Sequence, residues 1–291
     1  MNKKKIKQQF ISYKNAPGSA LLALLVMLAT LLTFLALFFL IIYLLIKGVP
    51  HLSTDLFALH YTSDNVSLFP ALINTIWMTL LALLIAVPMG IFAAIFLVEY
   101  AGKGNRFVDV IRLTTETLQG IPSIVYGLFG MLFFVTKLKW GLSLLSGAFT
   151  LAIMILPLIM RTTEESLKSV PESYREGSFG LGAGKLRTIF RIVLPAAIPG
   201  ILAGVILAIG RVVGETAALM YTAGTVAQIP DSVMGSGRTL ALHMYVLSNE
   251  GLHTDKAYAT AVVLLVLVIG INTLSTVVAK KISKGNGNGE D

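Results

Sequence analysis

The chain has 291 residues, of which 55% are hydrophobic and only 13% charged. A soluble domain of ordinary composition carries about 25% charged residues, so these proportions exclude an average water-soluble globule and indicate an integral membrane protein. It contains no cysteine, which excludes a disulfide framework and any cysteine-ligated metal. The net charge of +8 comes without the basic patches and interleaved aromatics of a nucleic-acid groove, so it reads as membrane topology.

In chain order, residues 1–19 form a basic tail carrying Lys3, Lys4, Lys5, Lys7 and Lys14. Residues 20–46 are uncharged and leucine-rich, longer than the ~20 residues a membrane-crossing helix needs. They also exceed the ~7–15 residues of a signal-peptide core, so they are expected to stay as an anchor. The second span is expected over 70–98, with a kink at Pro88 and Gly90. A charged loop over 99–112 leads to a third span over 114–136, a turn at 137–140 and a fourth span over 142–160. Residues 161–195 form a polar loop. From 192 to 231 the chain is apolar except for Arg211 and Glu215. That is too long for one plain span. A fifth span is expected over 196–220, with the remainder irregular, re-entrant or at the far interface. A polar loop over 231–256 and a last span over 257–279 follow. Residues 281–291, rich in Gly, Asn and Lys, read as a disordered tail.

Six spans put both termini on one side. That side gathers the N-terminal lysines, Lys103, Arg106, Arg112, the basic residues of the loop at 161–195, and Lys280, Lys281 and Lys284. The other side holds only Lys47, Lys137, Lys139, Arg238 and Lys256. Basic residues stay in the cytoplasm, so both termini and the loop are expected there.

The loop carries the sharpest pattern, YREGSFGLGAGKLRTIFRIVLP over 174–195. Pro171 suits the opening of a short helix. Gly177, Gly180, Gly182 and Gly184 permit the positive φ of a tight turn. Leu186, Ile189, Phe190 and Val193 recur at helical spacing and predict an apolar stripe, with Lys185, Arg187 and Arg191 on the remaining surface. Pro195 is expected to end this second short helix. The run Gly180, Gly182, Gly184, Lys185 is no phosphate-binding loop, because Leu186 stands where Ser or Thr would hold Mg²⁺.

This stretch resembles the coupling loop of ABC-type import permeases, whose motif reads E-A-A, three residues, Gly, nine residues, Ile, one residue, Leu-Pro. The matching positions are Glu176, Gly177, Ser178, Gly182, Ile192, Leu194 and Pro195. Gly177 and Ser178 replace the two alanines and are still small enough for a partner to pack closely.

Within the spans, Arg211 and Glu215 stand four apart, a spacing that lets them touch on one helix face. A charged arginine near the bilayer centre costs ~2.5–3.5 kcal/mol on insertion scales, so it lines a cavity or pairs. A helix starting at Pro195 places Arg211 ~24 Å along the axis, which leaves snorkelling to the interface as the alternative. Gly200 with Gly204, and Gly210 with Gly214, offer close helix approach. In GIPSIVYGLFG over 120–130, Pro122 frees a carbonyl, and Ser123 and Tyr126 bring hydroxyls. They are read either as substrate contacts or as a packing kink. Glu116 and Gln119 read as an interfacial cap. His243 and His253 belong to no catalytic arrangement, and no catalytic or metal-ligating residues are assigned.

Together with GRVVGETAALMYTAG over 210–224, these segments look like the permeases of phosphate-specific ABC importers. The stretch SGRTLALHMYVL over 236–247 tilts the resemblance toward their PstA-type rather than PstC-type subunit. It covers about residues 65–280. The resemblance implies an all-α membrane protein with six spans and a cytoplasmic helix–turn–helix coupling loop, the type I permease fold. It further implies a bacterial plasma-membrane location, a second homologous permease, two copies of a cytoplasmic ATPase, and an extracytoplasmic phosphate-binding protein. No cofactor is expected in this chain, ATP and Mg²⁺ being held by the ATPase. Arg211 and Glu215 match the family's intramembrane charged pair. The alternatives are another oxyanion importer or an ion-coupled anion transporter without an ATPase, for which paired broken helices are expected.

Overall fold

A computed structural model describes residues 17–101 and 104–285. Residues 1–16 of the basic tail, Lys103, and 286–291 of the closing tail lie outside the described residues. Every regular element described is helical. In order these are α1 (Pro17–Gly48), α2 (Phe69–Tyr100), α3 (Arg106–Gln119), α4 (Ser123–Lys137), α5 (Leu144–Lys168), α6 (Glu172–Gly180), α7 (Lys185–Val213), α8 (Ala217–Thr222), α9 (Leu240–Glu250) and α10 (Thr254–Gly285). Five helices are long and apolar enough to cross a membrane, and a sixth crossing results if the bent pair α3 and α4 counts as one. The loop between α6 and α7 marks one end of the bundle, the knob end. The segments 49–68 and 223–253 mark the far end.

The expected third span is broken at the place where Pro122 suggests a kink. α3 and α4 meet at 102°. Asn105 caps α3 by accepting from the Phe107 N–H at 3.0 Å, and Asp109, Arg112 and Glu116 share one face of it at helical spacing. A charged face of this kind suits a membrane interface better than hydrocarbon. The corner falls at Pro122, which has no N–H to offer the carbonyl four residues back, Leu118. The Ile121 N–H at 3.2 Å and the Tyr126 hydroxyl at 2.8 Å bond that oxygen instead.

Other boundaries also move. α5 continues past Met160 to Lys168, so the expected loop at 161–195 is helical at both ends. The polar loop at 231–256 contains α9, and α10 runs through residues 281–285 of the expected tail. After α7 the apolar chain forms the short helix α8, which packs against α4, and residues 223–230 beyond it are irregular, as expected. A Cβ built on Gly127 would sit 2.7 Å from the Ala218 Cα.

The core forms where α2, α5 and α7 meet, from Met78, Ala82, Leu151, Ile155, Ala208 and Leu219 of α8, among others. With lipid outside and apolar side chains inside, small residues rather than burial alone fix these contacts. Gly90 lies against Ile159, Gly200 against Ser166 and Gly204 against Thr162. Gly210 meets nothing within 4 Å and Gly214 only its own helix, so the second expected glycine pair is not an interhelical contact. At the far end, the Ser143, Leu144 and Leu145 N–H groups donate to the carbonyls of Thr222, Gly235 and Val233 at 3.0, 3.0 and 2.9 Å. These bonds pin the returning segment to the start of α5.

Candidate functional site

At the knob, α6 opens directly after Pro171 and the chain reverses at Gly182, whose φ is +81°. The Leu181, Gly182 and Ala183 N–H groups bond the carbonyls of Gly177, Phe179 and Ser178. Of the four glycines expected to use positive φ, only Gly182 does. Gly177, Gly180 and Gly184 have open space around them instead.

The motif residues divide between surface and interior. Glu176, Gly177 and Gly182 are exposed, next to Phe179, Leu186 and Leu181, the last 91% exposed. Ser178 faces inward and bonds the Thr188 hydroxyl at 2.8 Å. Its small size therefore serves the contact between the two short helices, not the approach of a partner as the sequence suggested. Ile192, Leu194 and Pro195 are half-buried in the wall of α7.

Pro195 does not end a helix. α7 runs unbroken from Lys185 to Val213. The preceding turn, Ile189–Val193, widens to a π-helical turn in which the Leu194 N–H bonds the Ile189 carbonyl five residues back. That widening relaxes the register in which the proline ring would collide with the carbonyl of the turn before it. It also splits the expected apolar stripe. Ile189 and Val193 are buried, whereas Leu186 and Phe190 are exposed.

Beneath the knob lies a charged node that spacing alone did not reveal. Arg175 of α6 is nearly buried and donates from Nε and Nη2 to Glu99 Oε1 at 3.2 and 2.8 Å. Its other donors reach the carbonyls of Val170 and Leu167, both at 3.0 Å. The guanidinium thus ties α6 to the end of α2 and to the end of α5, whose last carbonyls lack helical partners. Glu164 holds Arg112 at 2.7 Å and Lys168 at 2.6 Å. A cavity of about 620 Å³ opens among Glu99, Asp109, Arg112, Lys168, Arg175 and Lys185. The expected cap residues have partners here too. Glu116 pairs with Arg161 at 3.7 Å, and Gln119 Nε2 donates to the Pro157 carbonyl at 3.0 Å.

The intramembrane pair is not a pair. α7 ends at Val213, and Glu215 lies beyond the stop at Gly214. Glu215 is buried and its Oε1 accepts from the Ala218 N–H at 3.1 Å. A carboxylate is favoured at that position because the first N–H groups of α8 are unsatisfied by the helix itself. No ion pair joins it to Arg211, which sits half-buried in the last turn of a helix that starts at Lys185, not Pro195. The Tyr126 hydroxyl is committed to the Leu118 carbonyl. Ser123 is half-buried at the first position of α4. Glu215, Ala218, Gly127 and Tyr126 thus meet where α8 crosses α4, with Arg211 nearby on α7. No group of three or more His, Asp or Glu side chains among the described residues could hold a metal ion.

Residues 86–285 match the family described as binding-protein-dependent transport system inner membrane component. The chain is 33% identical over 263 residues to the probable ABC transporter permease protein YqgI of Bacillus subtilis, covering 83% of this chain and 89% of that one. It is 34% identical over 274 residues to the phosphate transport system permease protein PstA of Pasteurella multocida, covering 87% and 94%. Among solved structures it superposes on a chain of a bacterial ABC transporter involved in the import of the acidic polysaccharide alginate. The TM-score is 0.62 at 18% identity, covering 96% of this chain and 98% of that one. The fold is thus that of an ABC importer permease, and this multi-pass membrane chain belongs to the family of binding-protein-dependent transport system inner membrane components.

Proposed function

We propose that the chain is a PstA-type permease subunit of an ATP-driven importer of inorganic phosphate. In this reading it works beside a second, homologous permease. Two copies of an ATPase that holds ATP and Mg²⁺ act from the cytoplasm, and a phosphate-binding protein delivers substrate from outside. The observation that carries the reading is the knob: Glu176, Gly177 and Gly182 stand exposed with Phe179, Leu181 and Leu186. An apolar surface of this kind is an interaction site, and it sits at fixed motif spacing. The knob end, with both termini, faces the cytoplasm, in accord with the distribution of Lys and Arg. Similarity to the Pasteurella phosphate permease supports the substrate.

Motion of the ATPase pair moves α6, and the Arg175–Glu99 contact carries that motion into α2 and α5. Arg211 has no ion-pair partner among the described residues. An unpaired guanidinium inside a bundle marks a wet pathway, and its planar fork matches an oxyanion. Glu215 shapes the pathway by starting α8 rather than by neutralising Arg211. Ser123, half-buried at the first position of α4, would offer a further hydroxyl to the same pathway.

Membrane vesicles holding the whole complex provide the test. Labelled phosphate uptake should depend on ATP and exceed labelled sulfate uptake. Gly182→Val, which forces a branched residue to positive φ, should leave membrane insertion intact and abolish both uptake and its coupling to ATP hydrolysis. Normal uptake by that variant would overturn the docking role, and sulfate preferred over phosphate would point to another oxyanion importer.

A further inference from the structure

Six buried polar side-chain atoms without a hydrogen-bond partner gather at the far end of the bundle. They are Asn74 Oδ1, Arg238 Nε and Nη2, Thr239 Oγ1 and both ring nitrogens of His243. Among the described residues one other buried side-chain atom, Thr163 Oγ1, is in the same condition. The cluster is built and not frayed. Arg238 is 4% exposed and His243 fully buried. The Arg238 N–H donates to the Val226 carbonyl at 2.9 Å, and its carbonyl accepts from Asn74 Nδ2 at 3.3 Å.

The charge balance at this place is unusual. Arg238 has no carboxylate in ion-pair range among the described residues. Its side chain lies on the Tyr61 ring, 5.0 Å from the guanidinium carbon to the ring centroid. A cation over a ring recovers part of the cost of desolvation, but burying an unpaired charge costs more than that contact returns. Water can satisfy a hydroxyl or an imidazole but supplies no counter-charge. The unpaired groups are rich in donors: the guanidinium edge, the Thr239 hydroxyl and one imidazole N–H. Thr239 stands at the N-cap of α9, a position where its hydroxyl would ordinarily accept from the helix, yet it makes no such bond. The start of an eleven-residue helix adds a partial positive charge in the same place. All of this favours one kind of guest, a small anion with several acceptor oxygens.

We propose that Arg238, Thr239 and His243 form a binding site for a small inorganic oxyanion at the far end, separate from Arg211. Access is through a cavity of about 340 Å³ lined by Leu59, His60, Tyr61, Pro70, Gln228 and Ile229. Tyr61 belongs both to the cavity wall and to the cluster. Its ring lies under Arg238 and stands at 86° to His243, centroids 6.1 Å apart. A swing of this ring joins the cavity to the guanidinium. That the guest is the transported anion, halted before it reaches Arg211, rests on the proposed function.

The chain has no cysteine, so a single His60→Cys on the cavity wall reports on the site in the purified complex. Alkylation of that cysteine by a maleimide is followed against added inorganic phosphate, sulfate or chloride. Phosphate and sulfate should protect it. Arg238→Lys, which keeps the charge but loses the fork, should raise the half-protecting concentration by about tenfold or more, the scale of one charge-assisted hydrogen bond. Thr239→Val should weaken protection in the same direction, and it gives the reading if Arg238→Lys fails to assemble. Three outcomes overturn the site: no protection, protection indifferent to both substitutions, or chloride protecting as well as phosphate. ATP-driven uptake by the His60→Cys parent is measured alongside. Lost uptake with protection intact counts against the proposed function alone, and intact uptake without Arg238-dependent protection counts against the site alone.

Discussion

His243 is held neutral. Burial, and secondarily the Arg238 charge, push its pKa from 6.5 down to about 3. The unfolded chain therefore binds a proton that the folded chain refuses between those values, and stability rises with pH across that window. The contribution of this ring is complete above about pH 6.5 and is lost as pH falls toward 3. Thermal unfolding of the wild type should show that decline, and His243→Phe should flatten it. An unchanged slope in the variant would assign the decline to other groups. Some residues are legible in the sequence: Glu176 and Gly182 stand out by spacing, and both are exposed at the knob. Arg175 is not, because its partner Glu99 is 76 residues away and no local pattern links them. Nor is the divorce of Arg211 from Glu215. Four-residue spacing implies contact only while one helix continues, and here it stops at Gly214.

Among elements, the clasp between α6 and α2 decides how firmly the knob is mounted. Both Arg175 and Glu99 are nearly buried, so removing one partner strands a charge. Arg175→Met should cost about 3–5 kcal/mol. Adding Glu99→Leu to it should recover much of that loss, since an apolar pair replaces a buried ion pair with little penalty. Urea or thermal unfolding of the purified complex measures both. If the double variant is no more stable than the single, the pair is a minor contact and the mounting lies elsewhere. Hydropathy located the five helices long enough to cross a membrane, and the sixth expected span, 114–136, is the one that is broken. It failed where local rules were overruled by neighbours. Pro195 passes through α7 because a π-helical turn makes room for it. The third span breaks because Tyr126, eight residues from Leu118, offers the freed carbonyl another donor.

For the molecule as a whole, the fit of α2, α5 and α7 rests on glycines without side chains. A Cβ on Gly204 would meet the Thr162 Cβ at 2.6 Å, whereas one on Gly210 of the same helix meets nothing. Gly204→Ala should therefore destabilise the bundle by roughly 1–3 kcal/mol through overpacking. Gly210→Ala should be neutral or slightly stabilising, since alanine has the higher helix propensity. Equal thermal shifts for the two would refute tight packing at Gly204.

α1 stands apart from that bundle. Its side chains are exposed on nearly every side, and it leans on α10, with Gly48 against Tyr258 and the Tyr43 and Tyr258 hydroxyls 3.5 Å apart across 215 residues. During synthesis this helix leaves the ribosome before the rest of the bundle, while its docking surface emerges among the last. It must wait in lipid as a lone passenger until the closing helix arrives, and its berth is among the last joints of assembly to close.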